Sequence, residues 1–475
     1  MVRYGTVLMH GVFNVLKLNV LFFGLFCALF MTVIELFTME TTMSKALILC
    51  LTLLSFLISG TAWADEGQLN GANTSWILTS TALVLLMTLP GVALFYGGLV
   101  RKKNVLSILM QCFAIGSISS ILWLVVGYSL AFGEGNAFIG DFSKVMMHGI
   151  PKDALSGDIP ESLFMLFQMT FAVITPVLII GGFAERMKFS AVLLFSGIWL
   201  LAVYAPITHW VWGGGWLSAM GVYDFAGGIV VHITAGTAAL VAAIVVGPRR
   251  GFPKTPMLPH NLTMTVTGAG MLWVGWFGFN GGSALAANGD ASMAMLVTHI
   301  SAAAGTLTWA AIEWKKFGKA SVLGAVTGMV AGLGTITPAS GFVGPGGALV
   351  IGISAGFVCF YSTVYIKQKL KIDDSLDVFP VHGVGGILGT LLVGVFSATS
   401  LGVFSGFGFA EGIATMAEQI GVQLIGIFST LIYTAVVTYI ILKLVGLVTD
   451  GLRVGEEQES NGLDQAEHEE AGYYL

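Results

Sequence analysis

ESLFMLFQMTFAVITPVLIIGGFA, residues 161–184, carries a single charge, at its first residue. Roughly 20 apolar residues in a helix reach across the hydrocarbon core of a bilayer. Glu185-Arg186-Met187-Lys188 follows at once, and then another apolar stretch begins. That pattern, a long apolar run closed by a short charged loop, repeats along almost the whole chain and predicts a bundle of membrane-spanning helices.

Composition agrees. The 475 residues are 56% hydrophobic and only 10% charged, where soluble domains hold about 25%. So few charges cannot coat a soluble enzyme, a nucleic-acid binder or a disordered chain of this size. A porin-type barrel would alternate polar and apolar residues along each strand, and these runs do not. Glycine occurs 63 times, roughly twice its ordinary share, which in membranes marks helices packed closely through small residues. Gly324, Gly328 and Gly332, Gly352 and Gly356, and Gly385 and Gly389 form such stripes. Cys27, Cys50, Cys112 and Cys359 lack both disulfide and metal spacing.

Residues 43–64, MSKALILCLTLLSFLISGTAWA, place a lysine before an apolar stretch that ends in Ala62-Trp63-Ala64. This is the pattern of a secretory leader and predicts a mature chain starting at Asp65. Residues 1–42 are expected to be an upstream extension. Residues 65–446 then form the membrane domain and 447–475 a cytoplasmic tail.

Eleven spans are expected, at 75–99, 104–132, 161–184, 189–213, 226–247, 261–281, 291–312, 320–337, 346–366, 380–398 and 415–446. Positive charge marks the cytoplasmic side. Sixteen of the 21 lysines and arginines fall in alternate loops, the end of the last helix or the tail: Arg101, Lys102, Lys103, Arg186, Lys188, Arg249, Arg250, Lys254, Lys315, Lys316, Lys319, Lys367, Lys369, Lys371, Lys443 and Arg453. Only Lys144 and Lys152 lie in the opposite loops, and Arg3, Lys17 and Lys45 precede the cleavage site. The N-terminus is therefore expected outside and the C-terminus inside. An odd count suits two inverted five-helix repeats plus one extra helix, an arrangement that places a substrate site near the midplane.

Ionisable residues inside spans are costly and are functional candidates. His232 and His382 are each followed by a glycine four residues on, Gly236 and Gly386, on helices five and ten. Asp224 at the outer start of helix five lies about 12 Å above His232. A lone membrane histidine usually satisfies an interhelical hydrogen bond, but two at matched depth on counterpart helices favour function. Asp224 and Asp377 read as helix N-caps. His209 and His299 have no counterpart and are expected to pack. Phe167 and Phe171, Trp210 and Trp212, and Trp276, Phe279 and Ser283 gather at outer ends. They fit an aromatic belt as well as a vestibule that holds a small cation against ring faces.

Several segments resemble the ammonium transporter (Amt/Mep/Rh) family, bacterial AmtB-type: PGVALFYGGLVRKKNVLS (90–107), GYSLAFGEGN (127–136), AERMKFSAVL (184–193), HWVWGGGWL (209–217), DFAGGIVVHI (224–233), PHN (259–261), GWFGFNGGSA (275–284), DVFPVHGVGGILG (377–389) and GLRVGEEQESNGLD (451–464). The likeness runs in order over residues 75–464. It implies an outer ammonium-recruitment site at Phe167, Phe171, Trp212 and Ser283, and a gate of Phe171 and Phe279. It implies twin pore histidines at His232 and His382, with Asp224 as structural support. It further implies a homotrimer in the inner membrane and a PII-type signal protein docking on the tail and basic loops. Residues 465–475 need be no more than a solvating end. Pro176 and Pro380 depart mildly from the family pattern. No cofactor, metal, nucleic acid or enzyme activity is expected. The alternatives are an ammonium sensor acting through a partner, an Rh-like gas channel and a membrane metalloenzyme. The last lacks a third ligand beside the two histidines.

Overall fold

The computed structural model describes residues 68–473. The extension 1–42 and the leader 43–64, with its cleavage site before Asp65, lie outside the described residues. Ten described helices are long and apolar enough to cross a membrane. They are α1 Gly71–Leu99, α2 Lys102–Phe132, α3 Glu161–Phe183, α4 Phe189–Ala219 (broken at 212–215), α5 Gly228–Val246, α6 Leu262–Gly281, α7 Gly289–Phe317, α9 Pro345–Lys369, α10 Phe379–Phe396 and α11 Met416–Val448. Between α7 and α9 lies α8, Val322–Ile336, apolar but shorter. It occupies the eighth expected span. Two short helices lie in the tail, α12 Glu456–Asn461 and α13 Leu463–His468. A small hairpin, β1 Leu155–Ser156 with β2 Ile159–Pro160, precedes α3.

The helix starts are set locally. Asn70 accepts from the amides of Ala72 and Asn73, and Asn288 from those of Asp290 and Ala291. Thr415 and Glu418 form a capping box at α11. Each cap satisfies amides that the helix itself leaves unpaired. α3 stays helical through Pro176.

Glycines decide how closely the helices approach. A Cβ on Gly236 of α5 would collide with the backbone of Gly383 on α10, and one on Gly386 of α10 would lie 2.8 Å from the Gly228 carbonyl of α5. The two contacts are reciprocal, as an inverted repeat requires. The stripe on α8 is used the same way: a Cβ on Gly328 would sit 2.6 Å from the Gly305 carbonyl of α7.

At the basic end of the bundle, the loops interlock through buried charge. Glu185 accepts from Arg249 at 2.8 Å, Arg101 at 3.1 Å and Asn104 at 2.9 Å. Arg249 also grips Asp373 with two side-chain bonds, at 2.8 and 2.9 Å. Arg186 is fully buried and places all five N–H donors, on Gly182, Ala184, Gly247, Asp373 and Ser375. Burial pushes the Glu185 carboxyl up, but the charges of Arg249 and Arg101 outweigh it and hold the group below its usual range. Burial and the Arg249 bonds act on Asp373 in the same two directions, with the same net result.

The tail docks on this end. Glu459 accepts from the Arg250 amide at 2.7 Å and from Arg453 at 2.7 Å. Asp464 accepts from the Ser107 amide at the start of α2, and Glu467 from the Phe189 amide at the start of α4, both at 2.8 Å. Acidic groups at helix N-termini satisfy free amides and face the positive end of the helix dipole. His260 bonds Tyr473 at 3.0 Å. The segment 465–473 is thus not the mere solvating end expected from its composition, because Glu467 caps a membrane helix.

The ionic packing and the glycine packing can be tested separately. Removing one partner of a buried ion network costs roughly 3–5 kcal/mol, so Arg249→Met lowers the melting temperature of detergent-solubilised protein at neutral pH. In the unmodified protein, the stability from Glu185 and Asp373 is present at neutral pH and lost as pH falls through their depressed values. In the variant both carboxylates lose Arg249, and Glu185 keeps only Arg101 and Asn104, so acidification towards about pH 4 narrows the gap between the two melting curves. Gly236→Ala overpacks the α5–α10 crossing at a cost of roughly 1–3 kcal/mol. Gly270→Ala, where nothing lies within 4 Å of the added carbon, leaves the melting temperature level or slightly raised.

Candidate functional site

Three spaces lie within the bundle, the second and third sharing Tyr96 and His382 as walls. The first, about 270 Å³, opens at the end opposite the basic loops and is lined by Phe132, Phe164, Gln168, Phe171, Val211, Trp212, Phe225, Ser283 and Leu285. Trp212 is held by its indole N–H, which donates to the Asp224 carbonyl at 2.8 Å. The Ser283 hydroxyl donates to the Phe279 carbonyl at 2.8 Å. Its proton is thereby engaged, and its lone pairs remain for a donor in the vestibule.

The floor of this space is a pair of rings. Phe171 and Phe279 are both buried, with centroids 4.4 Å apart and planes at 41°. Phe171 also meets Trp212 edge-on at 5.7 Å.

Beyond the rings lies a cavity of only about 10 Å³, lined by His232, His382, Phe279, Trp276, Tyr96 and apolar side chains. That is about the room one water needs. His232 Nδ1 and His382 Nδ1 are 3.2 Å apart, with ring centroids 5.2 Å apart and planes at 21°. One ring must donate and the other accept, so the pair shares a proton between unlike tautomers. His232 Nε2 is buried without a partner. Both histidines sit in the wide, π-helical first turns of their helices, Gly228–Ile233 and Phe379–Gly383. Such turns are common at functional sites.

The helices that carry the pair are anchored by carboxylates. Asp224 accepts from the amides of Gly227, Gly228, Ile229 and Val230 at 2.5–3.0 Å. Burial pushes its carboxyl up to about 6, against the pull of those four N–H groups. The cap of α10 is Asp374, which accepts from the Phe379 amide at 2.7 Å. Asp377 was the expected cap. Its carboxylate instead takes Lys367 at 2.8 Å, and its backbone has φ +60°. Pro380 lies at the start of the same turn, where a missing N–H costs no bond.

The third space, about 260 Å³, leads from His382 to the basic end past Thr327, Glu313, Lys367 and Asp377.

Phe171, Trp212 and Ser283 thus meet around the vestibule, and His232, His382 and Phe279 around the cavity. Phe167 does not line the vestibule. It is fully buried behind Phe171, 5.1 Å away edge-on. Trp276 belongs to the cavity and not to the outer cluster, stacking on His232 at 5.5 Å and 23°. Trp210 turns away to Trp216 and Tyr433. His209 is buried on two carbonyls, and His299 lies beside Trp273 and Phe277, lining none of the three spaces. Gln168 in the vestibule wall is a residue that sequence reasoning missed. The available signal was a lone amide in an apolar span, and its Oε1 is buried without a partner.

The Ammonium Transporter Family matches over residues 75–473. A putative ammonium transporter of Methanothermobacter thermautotrophicus is 48% identical over 415 residues, covering 86% of this chain and 100% of that one. The ammonium transporter of Bacillus subtilis is 47% identical over 403 residues, covering 84% and 98%. Among solved structures, Saccharomyces cerevisiae Mep2 matches with a TM-score of 0.74 at 37% identity, covering 82% of this chain and 89% of its own. A structure named Sensor Amt Protein matches with a TM-score of 0.77 at 29% identity, covering 84% and 98%. The chain is a mostly helical, multi-pass membrane protein and belongs to the ammonium transporter family.

Proposed function

We propose that ammonium is recruited in the vestibule at Phe171, Trp212 and Ser283, with Phe167 supporting Phe171 from behind. It loses a proton there and crosses the Phe171–Phe279 gate as ammonia. It then passes His232 and His382 while the proton is relayed separately. The observation that carries this reading is the pair of mutually bonded imidazoles in an otherwise apolar cavity with room for about one small molecule. Taking a whole monovalent cation out of water costs several kcal/mol, whereas neutral ammonia avoids that cost. Potassium has no proton to give up and is excluded.

The basic face is cytoplasmic in this reading, the N-terminus is outside, and the protein is a homotrimer in the inner membrane. Apolar residues exposed on the flanks, such as Leu307, Trp314 and Phe317, supply surface for lipid and for neighbouring copies. A second reading, an ammonium sensor acting through a partner, draws on the Sensor Amt neighbour. Currents in proteoliposomes after an ammonium jump separate the two, since a sensor without transport gives none.

Replacing His382 with alanine leaves His232 Nδ1 without its bond in a buried site, a cost of roughly 1–3 kcal/mol. His382→Ala and His232→Ala are expected to reduce ammonium-driven proton current sharply while the protein still elutes as an intact oligomer. His232→Asp sets an ionisable carboxyl at the midplane, and potassium current is expected to appear. A double alanine variant with normal current and full discrimination against potassium would refute the relay.

The tail is the regulatory element in this proposal. A PII-type protein docks on it and on the basic loops, and blocks the space below His382. Deleting residues 451–475 removes Asp464 and Glu467 from the starts of α2 and α4. The deletion is expected to weaken PII binding in a pull-down and to change the transport rate. Unchanged values of both would remove the regulatory role.

A further inference from the structure

The space below His382 is lined by three charged side chains, Glu313, Lys367 and Asp377. Lys367 belongs to the π-helical last turn of α9, Tyr365–Lys369. Its Nζ donates to Asp377 Oδ2 at 2.8 Å and to the Ser375 carbonyl at 3.4 Å. The pair is not sealed off, since 29% of the Lys367 side chain and 22% of the Asp377 side chain remain accessible. An ammonium group with three N–H donors thus rests on a carboxylate and a carbonyl inside this space. A free ammonium ion would take the same acceptors.

The other charged groups of this end are committed elsewhere. Glu313 accepts from the Ser321 amide at 2.7 Å, before the start of α8. Arg249 is bound by Glu185 and Asp373, and Arg186 by four carbonyls and the Ser375 hydroxyl. Asp374 caps α10 at the Phe379 amide. Asp377 Oδ1 has no partner among the described residues, so Lys367 alone pairs with this carboxylate there. The turn that carries Asp377 is fixed without Lys367. The Leu376 amide donates to the Gly181 carbonyl at 3.0 Å, and the Asp377 carbonyl accepts from the Val381 amide at 3.1 Å. Asp377 itself has φ +60°, a conformation that aspartate and asparagine adopt more readily than other side chains.

We propose that Asp377 Oδ2 and the Ser375 carbonyl form an exit site for ammonium, and that Lys367 is its tethered competitor. The role in transport rests on reading the space below His382 as the end of the path. Ammonia leaving the histidine cavity takes up the relayed proton on its lone pair, and ammonium forms in this space. A bare carboxylate would hold that ion, because charge-assisted hydrogen bonds are the strong ones. Lys367 offers the same kind of head group at the high effective concentration of a tether, so the product is passed to solvent. The compact ammonium of lysine suits an exchange with free ammonium, whereas the planar fork of an arginine would clamp the carboxylate with two bonds. Without Lys367, the charged lining of the space would be two carboxylates and no cation.

The test compares the full-length unmodified protein with Lys367→Met and with the double variant Lys367→Met/Asp377→Asn. Asparagine keeps the shape of aspartate and tolerates the positive φ, so the second substitution removes the charge and preserves the turn. Crystals are soaked in a thallous salt, a heavy monovalent cation close to ammonium in size. An anomalous peak beside Asp377 is expected in Lys367→Met and in neither of the other two proteins. In proteoliposomes, ammonium-jump currents are measured against rising ammonium on the side of the basic face. Lys367→Met should be inhibited at a concentration roughly ten- to a hundredfold lower than the unmodified protein, the range for a hydrogen bond to a charged group. The double variant should lose this added inhibition, which a merely structural role of Lys367 would not restore. A folded Lys367→Met protein without the peak overturns the site. Unchanged inhibition in that variant, or inhibition as strong in the double variant, overturns the competitor role. Should Lys367→Met fail to fold, Lys367→Gln carries the same expectations and the same refutations. Absence of ammonium current in the unmodified protein would count against the transport reading and leave the thallium result to decide the site.

Discussion

The close crossing of α5 and α10 governs the rest of this structure. With hydrogen atoms at Gly236 and Gly386, the two backbones approach until each glycine faces the first turn of the other helix. That approach, and nothing covalent, sets His232 and His382 3.2 Å apart. A single methyl group on either glycine would meet the facing helix, so the crossing could not remain this close. The carboxylates of Asp224 and Asp374 secure the same crossing from its two ends, each by bonding the free amides of a helix start. Two helices, two glycines, two histidines and two capping aspartates thus form one quasi-symmetric unit, with the candidate pore at its centre.

The ionic hub at the basic end solves a different problem. Helices in lipid gain nothing from the hydrophobic effect when they associate, so packing and polar contacts must hold them. Glu185, Arg249, Asp373 and Arg186 tie together the loops after α3, α5 and α9. The tail is fastened onto the same loops where Glu459 accepts from the Arg250 amide and where the Val454 amide donates to the Arg186 carbonyl. Displacing the tail would expose amides at the starts of α2 and α4 that Asp464 and Glu467 now satisfy. Tail and helices therefore share their polar satisfaction.

Much of this was legible in the sequence, and the reasons differ by element. The spans were readable because apolar length and the one-sided distribution of lysine and arginine are direct consequences of the bilayer. The repeat showed only in the spacing of His232–Gly236 and His382–Gly386, since the remainder of each half is free to vary within apolar bounds. The same spacing argument misplaced Trp276 and Phe167. Both lie on the predicted helix faces, but a π-helical turn at Phe277–Gly281 rotates the residues after it relative to Trp276, and close packing buries Phe167 behind its neighbour. Asp374 was missed for Asp377 because three aspartates fall within five residues. Which of them caps depends on a left-handed residue at 377 that local pattern does not reveal. The docking of the tail was invisible because its acidic residues find amides far away in sequence.

The chemistry of the vestibule sets how tightly a cation can be held there. No carboxylate lines it, and the carboxylate behind it is already occupied. Asp224 gives its oxygens to four amides of α5, so its charge is answered by the helix start. What remains for a cation is aromatic faces, one serine oxygen and the unpartnered Oε1 of Gln168. Cation–π attraction at an exposed ring contributes about 0.5–1 kcal/mol and more when desolvated, which suits brief occupancy. A fixed carboxylate would bind a cation more strongly and would attract potassium as readily as ammonium. In the proposed reading, hydrogen-bond acceptance by Ser283 and Gln168 in its place favours a cation that carries N–H groups. On the same reading, the apolar ring pair beneath it presents a cost that only loss of a proton removes. In the proposed mechanism, weak recruitment followed by a steep dielectric barrier sorts ammonium from potassium in two stages, neither of which requires tight binding.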